Sequence, residues 1–148
     1  MSLSSFKEII QFAIDKEKEA QAFYRAASAL SQYAGIPALF LEMVQEEEKH
    51  QQLLEAFREG ASIPEPGGAV PDLKISDYMM DLTFQKEMKY QEVMILAMKN
   101  EEKSLKFYQA WEIKAEVPEH KKLFAFLAEQ EAQHKYRLES IYDRDFLD

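Results

Sequence analysis

The chain has 148 residues, 47% of them hydrophobic, with 27 acidic against 18 basic side chains and a formal net charge of −9. That length fits a single domain with a sizeable core, and the acidic balance disfavours nucleic acid and anionic membrane surfaces as partners. The absence of cysteine excludes disulfides, iron–sulfur clusters and thiolate zinc sites and fits a cytoplasmic location, and no apolar run approaches the ~20 residues of a membrane span.

Good helix formers dominate everywhere except in one stretch rich in Gly and Pro, which predicts an all-α fold. The first helix is expected over 5–33, with Ser4 or Ser5 as N-cap and Glu8 in the first turn. Its inner stripe, Phe6, Ile9, Ala13, Glu17, Ala20, Tyr24 and Ala27, advances by three or four residues, as one helical face does. Gly35 and Pro37 break the chain, and Pro37 suits the first turn of a second helix over 37–59. That helix carries the stripe Phe40, Met43, Glu47, His50, Leu54 and Phe57 and stops at Gly60. Residues 60–87 read as a long crossover, because Pro and Gly in its first half forbid helix and its length exceeds a tight turn. A short helix is expected within it from Ser76 to Leu82. The third helix, over 88–115, bears Tyr90, Val93, Ala97, Glu101, Ser104, Tyr108 and Trp111 on one face. Pro118 marks the next break, and the fourth helix, over 119–142, bears Phe124, Leu127, Glu131, His134, Leu138 and Ile141. Two αα-hairpins joined by a crossover predict a four-helix bundle forming one domain over 1–148.

The halves repeat. Glu17 and Glu101, Tyr24 and Tyr108, Glu47 and Glu131, and His50 and His134 are each separated by 84 residues. Phe40 and Phe124, and Leu54 and Leu138, keep the same step. All six Glu and His residues interrupt apolar stripes that contain no Lys or Arg. An ionised carboxylate in a core costs several kcal/mol or more unless it is paired or bound to metal. Four carboxylates balance two divalent ions, and two neutral imidazoles complete the coordination. Glu and His three residues apart share a helical face, so each Glu-x-x-His pair can serve one metal. Tyr24 and Tyr108 lie two turns, about 10.5 Å, beyond Glu17 and Glu101, too far to share a metal with their own Glu. They are expected to donate hydrogen bonds to ligands on neighbouring helices. Glu46, Glu48, Glu102 and Gln130 do not follow the repeat and read as solvated or supporting groups. His120, near a helix start, reads as exposed. The seven methionines read as core filler, since thioether does not suit an oxygen-rich site.

With Glu17, Glu47-Glu48-Lys49-His50, Glu101 and Glu131-Ala132-Gln133-His134 in order on four helices, the chain resembles the ferritin-like superfamily, most closely a stand-alone rubrerythrin di-iron domain. The resemblance implies that Glu47 and Glu131 bridge two metals, that Glu17 and His50 complete one coordination sphere, and that Glu101 and His134 complete the other. Iron is the implied metal, and manganese or zinc also accept this ligand set. The implied function is a di-iron oxidoreductase that reduces hydrogen peroxide or dioxygen with electrons from an external donor. A ferroxidase or iron-storage protein and a metal-stabilised helical interaction module are the alternatives. A homodimer is expected, with Phe12, Tyr33 and Tyr78 as aromatics off the inner stripes. Typical rubrerythrins carry a further Glu where this chain has Ser104, and a Cys-rich rubredoxin module that it lacks.

Overall fold

The computed structural model describes residues 5–30, 36–60, 74–79 and 82–147. They form helices α1 (Phe6–Leu30), α2 (Ile36–Arg58), α3 (Tyr90–Lys114) and α4 (Pro118–Phe146), with a 3₁₀ turn at Ile75–Tyr78 and no strand among the described residues. The chain divides into two compact units, Met1–Ile63 and Pro64–Asp148. Each is built on an antiparallel helical hairpin.

In the first hairpin, Ser5 caps α1: its hydroxyl accepts the Glu8 backbone N–H at 3.2 Å, satisfying one of the donors that a helix start leaves unpaired. Ser4, the other candidate, lies outside the described residues. Early α1 meets late α2, with the Phe6 and Phe57 rings edge to face at 5.9 Å and Arg58 donating to Gln11 Oε1 at 3.3 Å. Late α1 meets early α2, where Tyr24 stacks on Phe40 at 5.7 Å. The helix α2 ends as expected at Gly60, whose φ of 97° is the left-handed geometry glycine tolerates. The buried face of α1 is broader than the predicted stripe, because Ile10, Ile14 and Gln21 turn inward while Phe6 and Ala20 are half-buried.

In the second hairpin, the Glu92 carboxylate accepts the Lys89 backbone N–H at 3.0 Å at the start of α3. At the other end of α3, the Lys121 ammonium donates to the carbonyls of Glu112 at 3.0 Å and Ile113 at 3.4 Å, neutralising the negative end of the helix dipole. The predicted span of α4 is too short at both ends. Pro118 is its first residue, where a missing N–H costs nothing. Its last turn continues to Phe146, because Tyr142 and Phe146 lie 4.9 Å apart and Phe146 packs on Tyr90 at 5.2 Å. Tyr90 also donates to Asp145 Oδ2 at 2.6 Å. Tyr108 stacks on Phe124, repeating the Tyr24–Phe40 pair. Met43, Met94 and Met98 are fully buried, as core filler should be.

Of the short helix expected from Ser76 to Leu82, the described residues form one 3₁₀ turn at Ile75–Tyr78, followed by Met79 in extended geometry, while residues 80 and 81 lie outside the described residues. What fixes the turn is polar. The Ser76 N–H donates to Glu139 Oε2 at 2.9 Å, with both residues fully buried. Asp77 and Glu102 share a side-chain hydrogen bond that ties the same turn to α3.

Candidate metal centre

In the first hairpin, Glu17 projects from the middle of α1 while Glu47 and His50 project from the middle of α2. All three side chains are buried. His50 Nδ1 lies 3.3 Å from Glu47 Oε1 and 3.6 Å from Glu17 Oε2. In the second hairpin, Glu101 on α3 and Glu131 and His134 on α4 are equally buried. There His134 Nδ1 lies 3.7 Å from Glu101 Oε2 and 3.9 Å from Glu131 Oε2. Within each trio, one potential ligand atom per residue lies within 4.8 Å of the other two. Each Glu-x-x-His pair meets because side chains three apart on a helix are neighbours. The third member arrives because the antiparallel hairpin sets the centre of one helix beside the centre of the next.

These spacings suit a small divalent ion. Two ligand atoms each about 2.1 Å from one ion stand about 3.0 Å apart in octahedral and about 3.4 Å apart in tetrahedral geometry. The donor set, carboxylate oxygen and imidazole nitrogen, is that of iron, manganese and zinc centres rather than of soft thiolate metals. A buried trio of two carboxylates and one imidazole also carries surplus negative charge, which a bound cation offsets. The residues therefore fit the group that the sequence pattern implies.

The tyrosines predicted near the ligands, Tyr24 and Tyr108, are buried. Tyr24 is packed edge to face by Phe23 and Tyr108 by Phe107, at 5.2 and 5.3 Å. Several other predicted placements change. Glu102 is buried, not solvated, facing Lys106 at 3.4 Å and Lys99 at 4.0 Å. Burial, followed by its hydrogen bond to the Asp77 carboxyl, raises its carboxyl above the ordinary value, with Lys106 opposing. His120 is half-buried rather than exposed, and burial lowers its imidazole pKa. Glu46 and Gln130 are half-buried, and Glu48 is exposed. Tyr78 is 85% exposed, Phe12 is half-buried beneath the Lys16 ammonium at 5.2 Å, and Tyr33 lies outside the described residues.

The stripes also miss a set of buried polar residues beside the trios. Gln21 is buried and donates to Gln51 Oε1 at 2.8 Å, and Gln51 donates to Glu55 Oε2 at 3.4 Å. Lys135 and Glu139 are buried on α4, with Nζ 3.9 Å from Glu139 Oε2. A sequence signal existed: Lys135 and Glu139 are four apart, the spacing of a helical ion pair, and both flank Leu138 on the inner face.

No helix among the described residues is long and apolar enough to cross a membrane. The rubrerythrin family model matches residues 8–142. Among solved structures, a hypothetical protein from Pyrococcus furiosus is similar at 26% identity and a TM-score of 0.68, covering 94% of this chain and 89% of that one. Among curated proteins nothing matches. The four helices place the fold in the all-α, ferritin-like four-helix-bundle class, and with the match spanning all four of them the chain belongs to the rubrerythrin family.

Proposed function

We propose that this chain is a non-haem di-iron oxidoreductase that reduces hydrogen peroxide or dioxygen, with Glu17, Glu47, His50, Glu101, Glu131 and His134 as metal ligands. The observation that carries this is the duplicated trio: two buried carboxylates and an imidazole in each hairpin, with ligand atoms within 4.8 Å of one another. When bound, a ferrous pair supplies two electrons, so that peroxide and two protons become two waters while each iron rises from ferrous to ferric. The chain's own contribution is charge and exclusion of water. Four ligand carboxylates offset the charge of two divalent ions, and the buried aromatics Tyr24, Phe40, Tyr108 and Phe124 keep bulk water from the ligands. Tyr24 and Tyr108 orient ligand carboxylates through their hydroxyls. These 148 residues contain no cysteine and so hold no thiolate-bound redox centre, and a reductant external to them restores the ferrous state. The single domain acts as a homodimer in the cytoplasm.

Ser104 favours a second reading, a ferroxidase or iron-storage protein. It is half-buried one turn after Glu101, where a fifth carboxylate is absent. Anaerobic ferrous loading followed by peroxide, watched by stopped-flow absorption, separates the two. An oxidoreductase oxidises faster with peroxide than with dioxygen and cycles repeatedly when reductant is added. A storage protein oxidises once and accumulates ferric mineral. A ferrous-loaded spectrum unchanged by peroxide and by dioxygen would defeat both.

A further inference from the structure

Beneath the two trios the hairpins differ by one charge. Glu55 in the first hairpin and Glu139 in the second are related by the same 84-residue step as the ligands, and so are Gln51 and Lys135. In each hairpin the residue following the ligand histidine reaches the acid four positions on. In the first hairpin that contact is a neutral amide, Gln51 to Glu55 at 3.4 Å, backed by Gln21 at 2.8 Å. In the second it is an ammonium, Lys135 to Glu139 at 3.9 Å, with Lys135 3% and Glu139 0% exposed. The acid is common to both and the base is not. The Gln51–Glu55 pair therefore carries one negative charge and the Lys135–Glu139 pair carries none.

Other charges near the trios do not remove this difference. Half-buried Glu46, next to Glu47, is matched by half-buried Glu129, two residues before Glu131. Glu102, next to Glu101, is opposed by Lys106 and Lys99. Lys18, its counterpart in the first hairpin, is exposed and screened by solvent. Among the described residues, Lys135 is the base that is both buried and adjacent to a proposed ligand. Its field acts through protein rather than water, and it opposes a divalent cation.

We propose that the metal position of the second hairpin binds its ion more weakly than that of the first because of Lys135, so that the two positions fill in order. This rests on the reading of paired metal sites given above. The chain has three histidines, so ring-¹⁵N histidine NMR during a zinc titration reports each hairpin separately. His120, which belongs to no candidate metal cluster among the described residues, serves as the reference signal. His50 is expected to shift first, with the apparent affinities about tenfold apart. Lys135→Gln should bring the two within about threefold. The double variant Lys135→Gln with Glu139→Gln restores the parent's net charge and should restore the gap. Gln51→Lys, at a half-buried position, should close the gap from the other side even if Lys135→Gln does not fold. The inference is overturned if His50 and His134 shift together in the parent, if His134 shifts first, or if both Lys135→Gln and Gln51→Lys leave the gap unchanged. If neither His50 nor His134 responds while the fold is intact, the paired-metal reading itself falls.

Discussion

Set side by side, the two hairpins share what faces the proposed metals and differ in what lies behind it. Each places Glu, then Glu-x-x-His, at the middle of two antiparallel helices, and each stacks a tyrosine on a phenylalanine with ring planes inclined by 27°. The supports diverge. The first hairpin backs its ligands with a chain of amides ending on half-buried Glu55. The second uses a sealed lysine–glutamate pair and a second buried acid, and it borrows Ser76 and Asp77 from the crossover to satisfy them. The comparison teaches that the repeat holds the positions where the chemistry admits few residue types. It lets the supporting layer drift, because a buried acid can be satisfied by an amide, an ammonium or a backbone N–H alike.

The largest way to break the symmetry is to delete one trio. Glu17→Ala with His50→Ala should lower the metal content from two ions per chain to one or none, and Glu101→Ala with His134→Ala should do the same, as measured by elemental analysis after ferrous loading. Unchanged stoichiometry in either variant would exclude that hairpin from metal binding.

The next contrast is between the two matched acids. Glu139→Ala removes the carboxylate that faces buried Lys135 and the acceptor of the Ser76 N–H, and it should cost about 3–5 kcal/mol in denaturant unfolding. Glu55→Ala, at the equivalent half-buried position, should cost within about 0.5 kcal/mol. Equal costs would show that the sealed pair is no different from the open one.

A smaller effect concerns pH. The Glu102 carboxyl is raised by burial and by Asp77, so the folded state holds its proton more tightly than the unfolded chain does. That contribution is present below the ordinary carboxyl value, is lost as pH rises through the raised one, and works against folding at neutral pH. Glu102→Gln should flatten this decline in stability between those values. Lys18→Gln, at the matching exposed position, should leave the pH profile as it is. A parent profile that rises over the same interval, with Glu102→Gln unchanged, would contradict the assignment.

The smallest expected difference is at the helix starts. Ser5→Ala removes the cap of α1 and should cost about 1 kcal/mol. Lys89→Ala, which caps α3 through its backbone rather than its side chain, should cost a few tenths at most.

How far the sequence could be read follows the same division. The four helices, and the burial of Glu17, Glu47, His50, Glu101, Glu131 and His134 on their inner faces, were readable, because apolar periodicity and the 84-residue step are global patterns that survive small errors of register; most of the predicted crossover lies outside the described residues. The burial of Glu102, Lys135 and Glu139 was not readable, for one physical reason. Each has a basic or acidic partner three or four residues away on its own helix, a spacing equally common on solvated faces, and what covers Glu102 and Glu139 includes the distant turn at Ile75–Tyr78: Ser76 stands 63 positions from Glu139. The extension of α4 past Tyr142 was missed similarly, since the ring contact that stabilises its last turn comes from Tyr90. The expected short helix is a 3₁₀ turn at Ile75–Tyr78, where the Ser76 N–H is committed to Glu139 on α4, a contact the sequence does not announce.

The central claim is that each hairpin contributes one half of a paired metal centre. Anomalous diffraction at the iron edge, from crystals grown with ferrous iron under anaerobic conditions, tests it most directly. The account predicts two peaks per chain, roughly 3.5–4 Å apart as two-metal chemistry requires, one beside Glu17 and His50 and the other beside Glu101 and His134. A single peak, or peaks away from those residues, would contradict it.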